Sequence, residues 1–403
     1  MESASSAYLA GLPGDIYAIA QAVETPAFVV DQRIIAQTLQ IVDMVKAASG
    51  CKFLYALKPF VNADVLEQMA SHVDGFAASS LFEATLSREI IGNRGTVHIT
   101  TPGLRPTEMC QLGALCDFVV FNSLSQAEKY TPQITNLTNC GLRVNPQLSF
   151  VKDDRYNPCR ERSKLGVPMD QLKKALKKNP DLLDGIRGIH FHNNCDSKSF
   201  DPLLKTVKHV SEHLDDLLRR MEWVNLGGGY LFTKPLKLDK LLKAIDLMRS
   251  NYNLEVFIEP GATMVREAGS IIASVIDLFE SEGEMIAVLD TTVNHMPEVY
   301  EYQYEPDVLG YNEDGKYIYR LVGGTCLAGD LFGEYCFDAP LEIGSRVVFP
   351  NAGAYTMVKS HMFNGINLPT LYTVSEAGQL ELKKRFTYQD FTSKYGVEPH
   401  VTV

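Results

Sequence analysis

Eight short apolar runs mark the first two thirds of the chain, each closed by a polar residue or a glycine cluster. They are Cys51 to Lys58, Asp74 to Ser80, Val97 to Thr101, Phe118 to Asn122, Leu142 to Asn145, Ile186 to Asn193, Trp223 to Gly229 and Val256 to Glu259. Runs of this length bounded by turn signals are the pattern of buried strands. Segments of helical periodicity lie between them, among them Val61 to Ala70 and Leu203 to Leu218. Strand and helix therefore alternate eight times, which predicts an α/β fold of the (β/α)8 TIM-barrel type.

The pattern differs on either side of this repeat. Thr25 to Asp31 is a strand outside the barrel, and Asp31 then caps a helix whose Ile34, Ile35, Leu39, Val42 and Val45 share one face. Beyond about Ser270, apolar runs return at short spacing with Gly and Asn between them: Ile271 to Leu278, Met285 to Leu289, Tyr317 to Leu321, Arg346 to Phe349 and Leu371 to Val374. Few helical patterns intervene, so this part predicts a β-rich domain. The expected organisation is an extension and strand over 1–30 that joins the β domain, a barrel over 31–270 and a β-rich domain over 271–403. Val151 to Gly166 is long, charged and broken by Pro158, the character of a mobile or functional loop.

Barrels of this kind carry their chemistry at the C-terminal ends of the strands. That rim would present Lys58, Ser79, Thr101, Asn122, Asn145, His192, the Gly227-Gly228-Gly229 turn and Glu259, a set able to hold a phosphate and an electron-poor ring. Lys58 ends its apolar run just before Pro59, and is either a surface lysine or an amine able to form a Schiff base. His190 and His192 alternate onto one strand face, as packed core residues, a zinc pair or an imidazole lying on a cofactor ring. Three glycines after a buried strand allow close backbone approach and can turn amides toward an anion. Glu259 is either a salt-bridge partner or the group that keeps a pyridine nitrogen protonated. In the β-rich part, Gly323 to Asp330 places Cys326 and a carboxylate in a glycine-rich loop.

Composition narrows the function classes. The 49 acidic against 38 basic residues leave a net charge of −11, which argues against a nucleic-acid partner and tolerates a cationic ligand. The eight cysteines show no CxxC spacing, as expected of reduced thiols. Met1 to Asp15 lacks the basic start and apolar core of a signal peptide, and no apolar run is long enough to cross a bilayer. The expectation is a soluble cytoplasmic protein with no membrane partner and a mobile extension over Met1 to about Gly14.

Together these segments resemble the fold-type III pyridoxal-phosphate decarboxylases, the group of ornithine and diaminopimelate decarboxylases, whose barrel is alanine racemase-like. Tyr55-Ala-Leu-Lys58 resembles the family's cofactor-lysine motif, Phe191-His192 the segment whose histidine stacks on the ring, and Asn225 to Gly229 the phosphate-binding turn. Glu259-Pro-Gly261 is similar to the pyridine-nitrogen motif, Gly353-Ala-Tyr355 to the segment whose tyrosine reaches the phosphate, and Thr325-Cys326 to the catalytic cysteine element. The resemblance implies pyridoxal 5'-phosphate on Lys58, with Cys326 as proton donor inserted into the neighbouring subunit's site, so that activity needs a homodimer. Ala262 and Cys195 stand where ornithine decarboxylase has an arginine and a serine, so the phosphate shell carries over only in part.

Those departures, together with His190 to Cys195, His295-Met-Pro-Glu298 and Cys326 to Asp330, resemble the carboxynorspermidine and carboxyspermidine decarboxylase branch. The resemblance implies that Glu298, Asp330 and His295 meet a long, multiply charged polyamine substrate. Diaminopimelate or another basic amino acid is the alternative within the fold. A catalytically dead regulatory homologue is the alternative of another class, and the joint presence of Lys58, His192, Glu259 and Cys326 argues against it. A metallohydrolase built on His190 and His192 would need ligands at other strand ends, where the rim offers mainly lysine, serine, threonine and asparagine, so no metal is expected.

Overall fold

The computed structural model describes residues 16–232 and 235–397, so the expected N-terminal extension lies outside the described residues. The chain divides into two compact units: one runs from Gln37 to Met264, and the other joins the segment up to Ala36 with that from Val265 onward.

The first unit is the barrel. Strands Lys52–Ala56, Gly75–Ala78, Thr96–Thr100, Phe118–Phe121, Asn139–Asn145, Ile186–His190, Trp223–Asn225 and Glu255–Ile258 pair in parallel. Glu255–Ile258 pairs with Lys52–Ala56, which closes the ring, and the two-residue strand Val167–Pro168 attaches to Asn139–Asn145. Gly75–Ala78 and Phe118–Phe121 are buried at every position, as strands covered on both faces must be. The helices start where their sequences provide a cap: Asn62, Ser80 and Ser123 each accept a backbone N–H from the first turn.

The barrel interior is filled by Phe118, Trp223 and Phe257, with the His98 ring stacked on Phe118 at 4.1 Å between centres. Two glycines make room for the indole. A Cβ on Gly188 would lie 2.1 Å from the Trp223 ring, and one on Gly141 would lie 2.3 Å from it.

In the second unit, strand Ala27–Asp31 lies between Gly269–Ser281, antiparallel to it, and Thr370–Val374, parallel to it. The early strand is thus an integral member of this sheet. Asp31 Oδ1 accepts the Arg33 N–H at 2.9 Å and so caps the helix Gln32–Ser49. Two strands escape the sequence pattern, Leu331–Phe337 and Leu380–Lys384. The first is broken by Gly333 and Glu334, and the second is largely exposed, so neither shows a continuous apolar run. Helix Ile16–Ala22 is likewise unanticipated, and its Ile16, Ile19 and Ala20 pack with Val29, Ile272 and Val348.

Candidate active site

The first barrel strand ends at Ala56, so Lys58 stands two residues past it in a turn, exposed, and not at the exit of a strand running to Lys58. Backbone hydrogen bonds fix that turn. Ala56 N–H donates to Pro260 O and Leu57 N–H to Ala77 O, both at 3.1 Å, while the Tyr55 hydroxyl donates to Phe60 O at 2.9 Å. Gly261 lies under Pro59, where a Cβ would come within 3.1 Å of the ring. The lysine turn and the Glu259-Pro260-Gly261 segment are therefore packed as one piece.

Glu259 follows the last barrel strand. Its Oε1 accepts from Asn225 Nδ2 at 2.7 Å, and its Oε2 faces His190 Nε2 at 3.4 Å. A carboxylate only accepts, so His190 carries its proton on Nε2. Burial works to raise the Glu259 carboxyl, but the hydrogen-bonded His190, the electrostatic influence of His192 and the bond from Asn225 prevail and hold it down to about 2. Burial pushes the His190 imidazole below its ordinary 6.5, with Glu259 opposing, so it donates as a neutral ring.

His192 lies just beyond its strand, and its Nδ1 accepts the Gly228 N–H at 3.1 Å. That bond leaves Nδ1 bare and puts the ring's proton on Nε2. Burial holds His192 well below 6.5, and the charges of Lys58 and Arg143 act in the same direction. Its ring is thus a neutral plane with a fixed orientation.

The glycine turn is required by its neighbours. Cβ atoms on Gly227, Gly228 and Gly229 would lie 2.5, 2.0 and 2.2 Å from the carbonyl oxygens of Phe191, Glu259 and Asn194. Gly227 and Gly229 also have φ of +69° and +90°, where a side chain is strained. Two of the amides serve the protein itself: Gly227 N–H goes to Asn225 Oδ1 at 2.9 Å, and Gly228 N–H to His192. Cys195 lies beside Gly229, and its N–H donates to Asn194 Oδ1 at 3.0 Å.

Two further groups of this cluster, Arg143 and Glu83, were not singled out from sequence, and Asn225, which opens the glycine turn named there, has a second role. Asn225 ties Glu259 to the glycine turn. Arg143 is 8% exposed within a strand and lies in electrostatic reach of Glu259 and Cys159. Glu83 is half-buried, its Oε2 accepts the Ser79 N–H at 2.6 Å, and it feels the Lys58 charge. A charged residue inside an apolar strand run, as Arg143 is, was the available signal. The loop over 151–166 is pinned by Asn122, which accepts the Gly166 N–H and donates to Lys164 O, both at 2.8 Å. Among the described residues no group of three or more His, Cys, Asp or Glu is placed to hold a metal ion.

In the second unit, Cys326 is exposed, and its N–H donates to Asn364 Oδ1 at 2.9 Å. Two of the expected substrate contacts, Asp330 and His295, are engaged within the protein. Asp330 is 4% exposed; its Oδ1 accepts from Thr292 Oγ1 and Val293 N, and its Oδ2 from Thr325 N and Oγ1. A carboxylate with both oxygens so occupied braces the cysteine loop. His295 is fully enclosed, with Nδ1 at 3.0 Å from Thr291 Oγ1, and burial holds it down to about 3. Glu298 differs from both. Its side chain is 27% exposed, and Lys359 Nζ stands at 3.5 Å from it. Tyr355 is half-buried with φ of +59°, and Gly353 before it is held by an N–H bond to Arg266 O at 3.0 Å.

Residues 32–266 match the family described as pyridoxal-dependent decarboxylase, pyridoxal binding domain. The carboxynorspermidine/carboxyspermidine decarboxylase of Herminiimonas arsenicoxydans is 32% identical over 92% of this chain and 99% of its own length. The carboxyaminopropylagmatine decarboxylase of Synechocystis is 34% identical over 92% of this chain and 95% of its own. The crystal structure of carboxynorspermidine decarboxylase from Campylobacter jejuni, complexed with norspermidine, superposes with a TM-score of 0.84 at 30% identity, covering 92% of this chain and 100% of that one. Diaminopimelate decarboxylase from Helicobacter pylori, complexed with L-lysine, shares the fold at 20% identity with a TM-score of 0.79, covering 94% of this chain and 100% of that one. With a lysine turn, an ionised carboxylate and a glycine turn at one barrel rim, and with these relatives along nearly its whole length, the chain belongs to the pyridoxal-dependent decarboxylase family and is a pyridoxal-phosphate-dependent carboxy-lyase.

Proposed function

We propose that this enzyme removes CO2 from a carboxylated polyamine, carboxynorspermidine or carboxyspermidine, and releases norspermidine or spermidine. The barrel-rim residues fit the cofactor: an exposed primary amine at Lys58, a carboxylate at Glu259, a neutral imidazole plane at His192 and a turn that only glycine can build. Bound pyridoxal phosphate supplies the electron sink for the pair left behind when CO2 departs. Lys58 is the attachment point. Glu259, ionised at neutral pH, would keep a proton on the pyridine nitrogen of the cofactor, and Asn225 and His190 keep that carboxylate in place. His192 offers its ring face without adding positive charge. Gly227, Gly228, Gly229 and Gly261 supply the barrel's part of the cofactor shell, and the family resemblance assigns Tyr355 to the phosphate. Cys326, or a water it positions, returns a proton to the α-carbon.

The observation that carries the substrate reading is Glu298, a part-exposed carboxylate held by a single 3.5 Å contact, which suits a distal ammonium. Relatives acting on carboxynorspermidine and carboxyspermidine support the same reading. A second reading, carboxyaminopropylagmatine, is supported by the Synechocystis relative, since a guanidinium also pairs with a carboxylate. The distal carboxylate of diaminopimelate would face repulsion from Glu298.

The proposal includes a cytoplasmic homodimer in which each site takes Lys58 from one subunit and Cys326 from the other. All eight cysteines are free thiols, in keeping with a reducing compartment. The test measures CO2 release from carboxynorspermidine, carboxyspermidine, carboxyaminopropylagmatine, diaminopimelate, ornithine and arginine side by side. The highest kcat/KM is expected for the first two. A preference for diaminopimelate would overturn the reading, and a preference for carboxyaminopropylagmatine would replace it with the second.

A further inference from the structure

Helix Pro297–Tyr302 carries Glu298, Glu301 and Tyr302 three and four residues apart, hence on one face. Lys359, from a turn that follows Tyr355, reaches that face. Its Nζ closes an ion pair with Glu301, lies 3.5 Å from Glu298 Oε1 and stands 5.4 Å from the centre of the Tyr302 ring. Two carboxylates and an aromatic face are the elements with which proteins bind an ammonium group. Here the ammonium belongs to the chain itself.

The three contacts are unequal. Lys359 sits closer to Glu301 than to Glu298, which it meets only at 3.5 Å, and the Arg266 guanidinium acts on Glu298 without closing an ion pair with it. The long 3.5 Å contact and part-exposed side chain leave Glu298 the more open of the two carboxylates, and burial raises its carboxyl although Lys359 and Arg266 oppose this. Both side chains retain solvent access, 27% for Glu298 and 28% for Lys359.

We propose that Lys359 is a specificity-determining residue: a built-in ammonium that fills one of two cation places on the Glu298–Glu301 face and leaves the other, at Glu298, for a single distal cation of the substrate. This rests on the reading that Glu298 receives the distal end of a carboxylated polyamine. Glu301 is then a positioning residue, which holds Lys359 away from Glu298 without touching substrate.

The test uses the cofactor-loaded enzyme with carboxyspermidine and carboxynorspermidine, and norspermidine as inhibitor and calorimetric ligand. Glu301→Gln frees Lys359 to pair with Glu298, so KM should rise about five- to tenfold with kcat little changed. Adding Lys359→Met to that variant should return KM to the wild-type value or below. Lys359→Met alone should tighten norspermidine binding by a similar factor, and Lys359→Arg should behave as wild type. Melting curves establish that each variant is folded, and Lys359→Gln replaces the methionine variant if the latter is not. A double variant no better than Glu301→Gln, or unchanged norspermidine binding in Lys359→Met, would overturn the assignment. Glu298→Gln separates the two levels. If its KM is unchanged, the substrate reading fails and this inference with it; if its KM rises while the rescue fails, only the role of Lys359 is lost.

Discussion

Asn225 donates from Nδ2 to Glu259 Oε1 at 2.7 Å and accepts the Gly227 N–H on its Oδ1 at 2.9 Å, so one side chain sets both the carboxylate and the turn beside it. Asn225→Asp would place a carboxylate against a carboxylate and raise the Glu259 carboxyl. Cofactor absorbance after dialysis should fall, and kcat should drop by about tenfold or more. Retention of both would mean that Glu259 does not depend on Asn225.

Burial holds His98, His190, His192 and His295 below 6.5, with His98 and His295 down to about 3. The unfolded chain takes up protons at about 6.5 that the native chain refuses, so stability is complete above that pH and falls as pH drops. Each such histidine contributes a slope of about 1.4 kcal/mol per pH unit. Glu259 has the same sign at lower pH: its contribution is present above about 4 and is lost toward 2. Urea unfolding of the apoprotein at pH 7.5 and 5.5 should show the histidine-linked loss. His98→Phe, which keeps an aromatic ring against Phe118, should show a shallower slope.

Asp330 and Glu298, both acidic and both expected to meet substrate, should separate by experiment. Asp330→Asn turns an NH2 toward backbone and hydroxyl donors, a mismatch of about 1–3 kcal/mol for a buried group. Its melting temperature should fall and kcat should suffer through displacement of the Cys326 loop, with KM little altered. Glu298→Gln should raise KM about tenfold with an unchanged melting temperature.

Lys58→Ala and Cys326→Ala should each be nearly inactive as homodimers. In a two-fold dimer with shared sites, their mixed dimer gathers both lesions into one site and leaves the other intact. Random reassortment makes about half the dimers mixed, each with one good site of two, so activity should recover to about a quarter of wild type. No recovery despite demonstrated subunit exchange would place both residues in the same chain's site or remove Cys326 from the chemistry.

The barrel was legible because its strands are covered on both faces and must be written as apolar runs; all eight lie within a few residues of their sequence limits. The β-rich unit was less so. Leu331–Phe337 pairs along Tyr317–Val322 through Gly333 and Glu334, and that pairing leaves no mark on local hydrophobicity. The site showed the same division. Lys58, His192, Glu259 and the glycines stand in the turns just past strand ends, where residue type and place in the pattern are both visible. Asp330 looked like Glu298 because an acidic residue in a glycine-rich loop carries no sign of whether its oxygens are already bonded. That depends on Thr292 and Val293, nearly forty residues away in sequence. Arg143, and the bond by which Asn225 holds Glu259, were hidden for a related reason, since these roles lie in which neighbours the residues join.

Trp223 is the single tryptophan of the chain, 2% exposed in the barrel interior and flanked edge-on by Phe118 and Phe257. All tryptophan fluorescence therefore originates inside one of the two units, in a dry setting that shifts emission to the blue. Excitation at the red edge of indole absorption follows the unfolding of the barrel alone, while far-ultraviolet dichroism sums both units. Divergence of the two curves would reveal whether the β-rich unit melts on its own. Trp223 is also two residues before Asn225, so energy transfer from it to a bound pyridoxal chromophore offers a titration signal for cofactor loading that needs no label and no turnover.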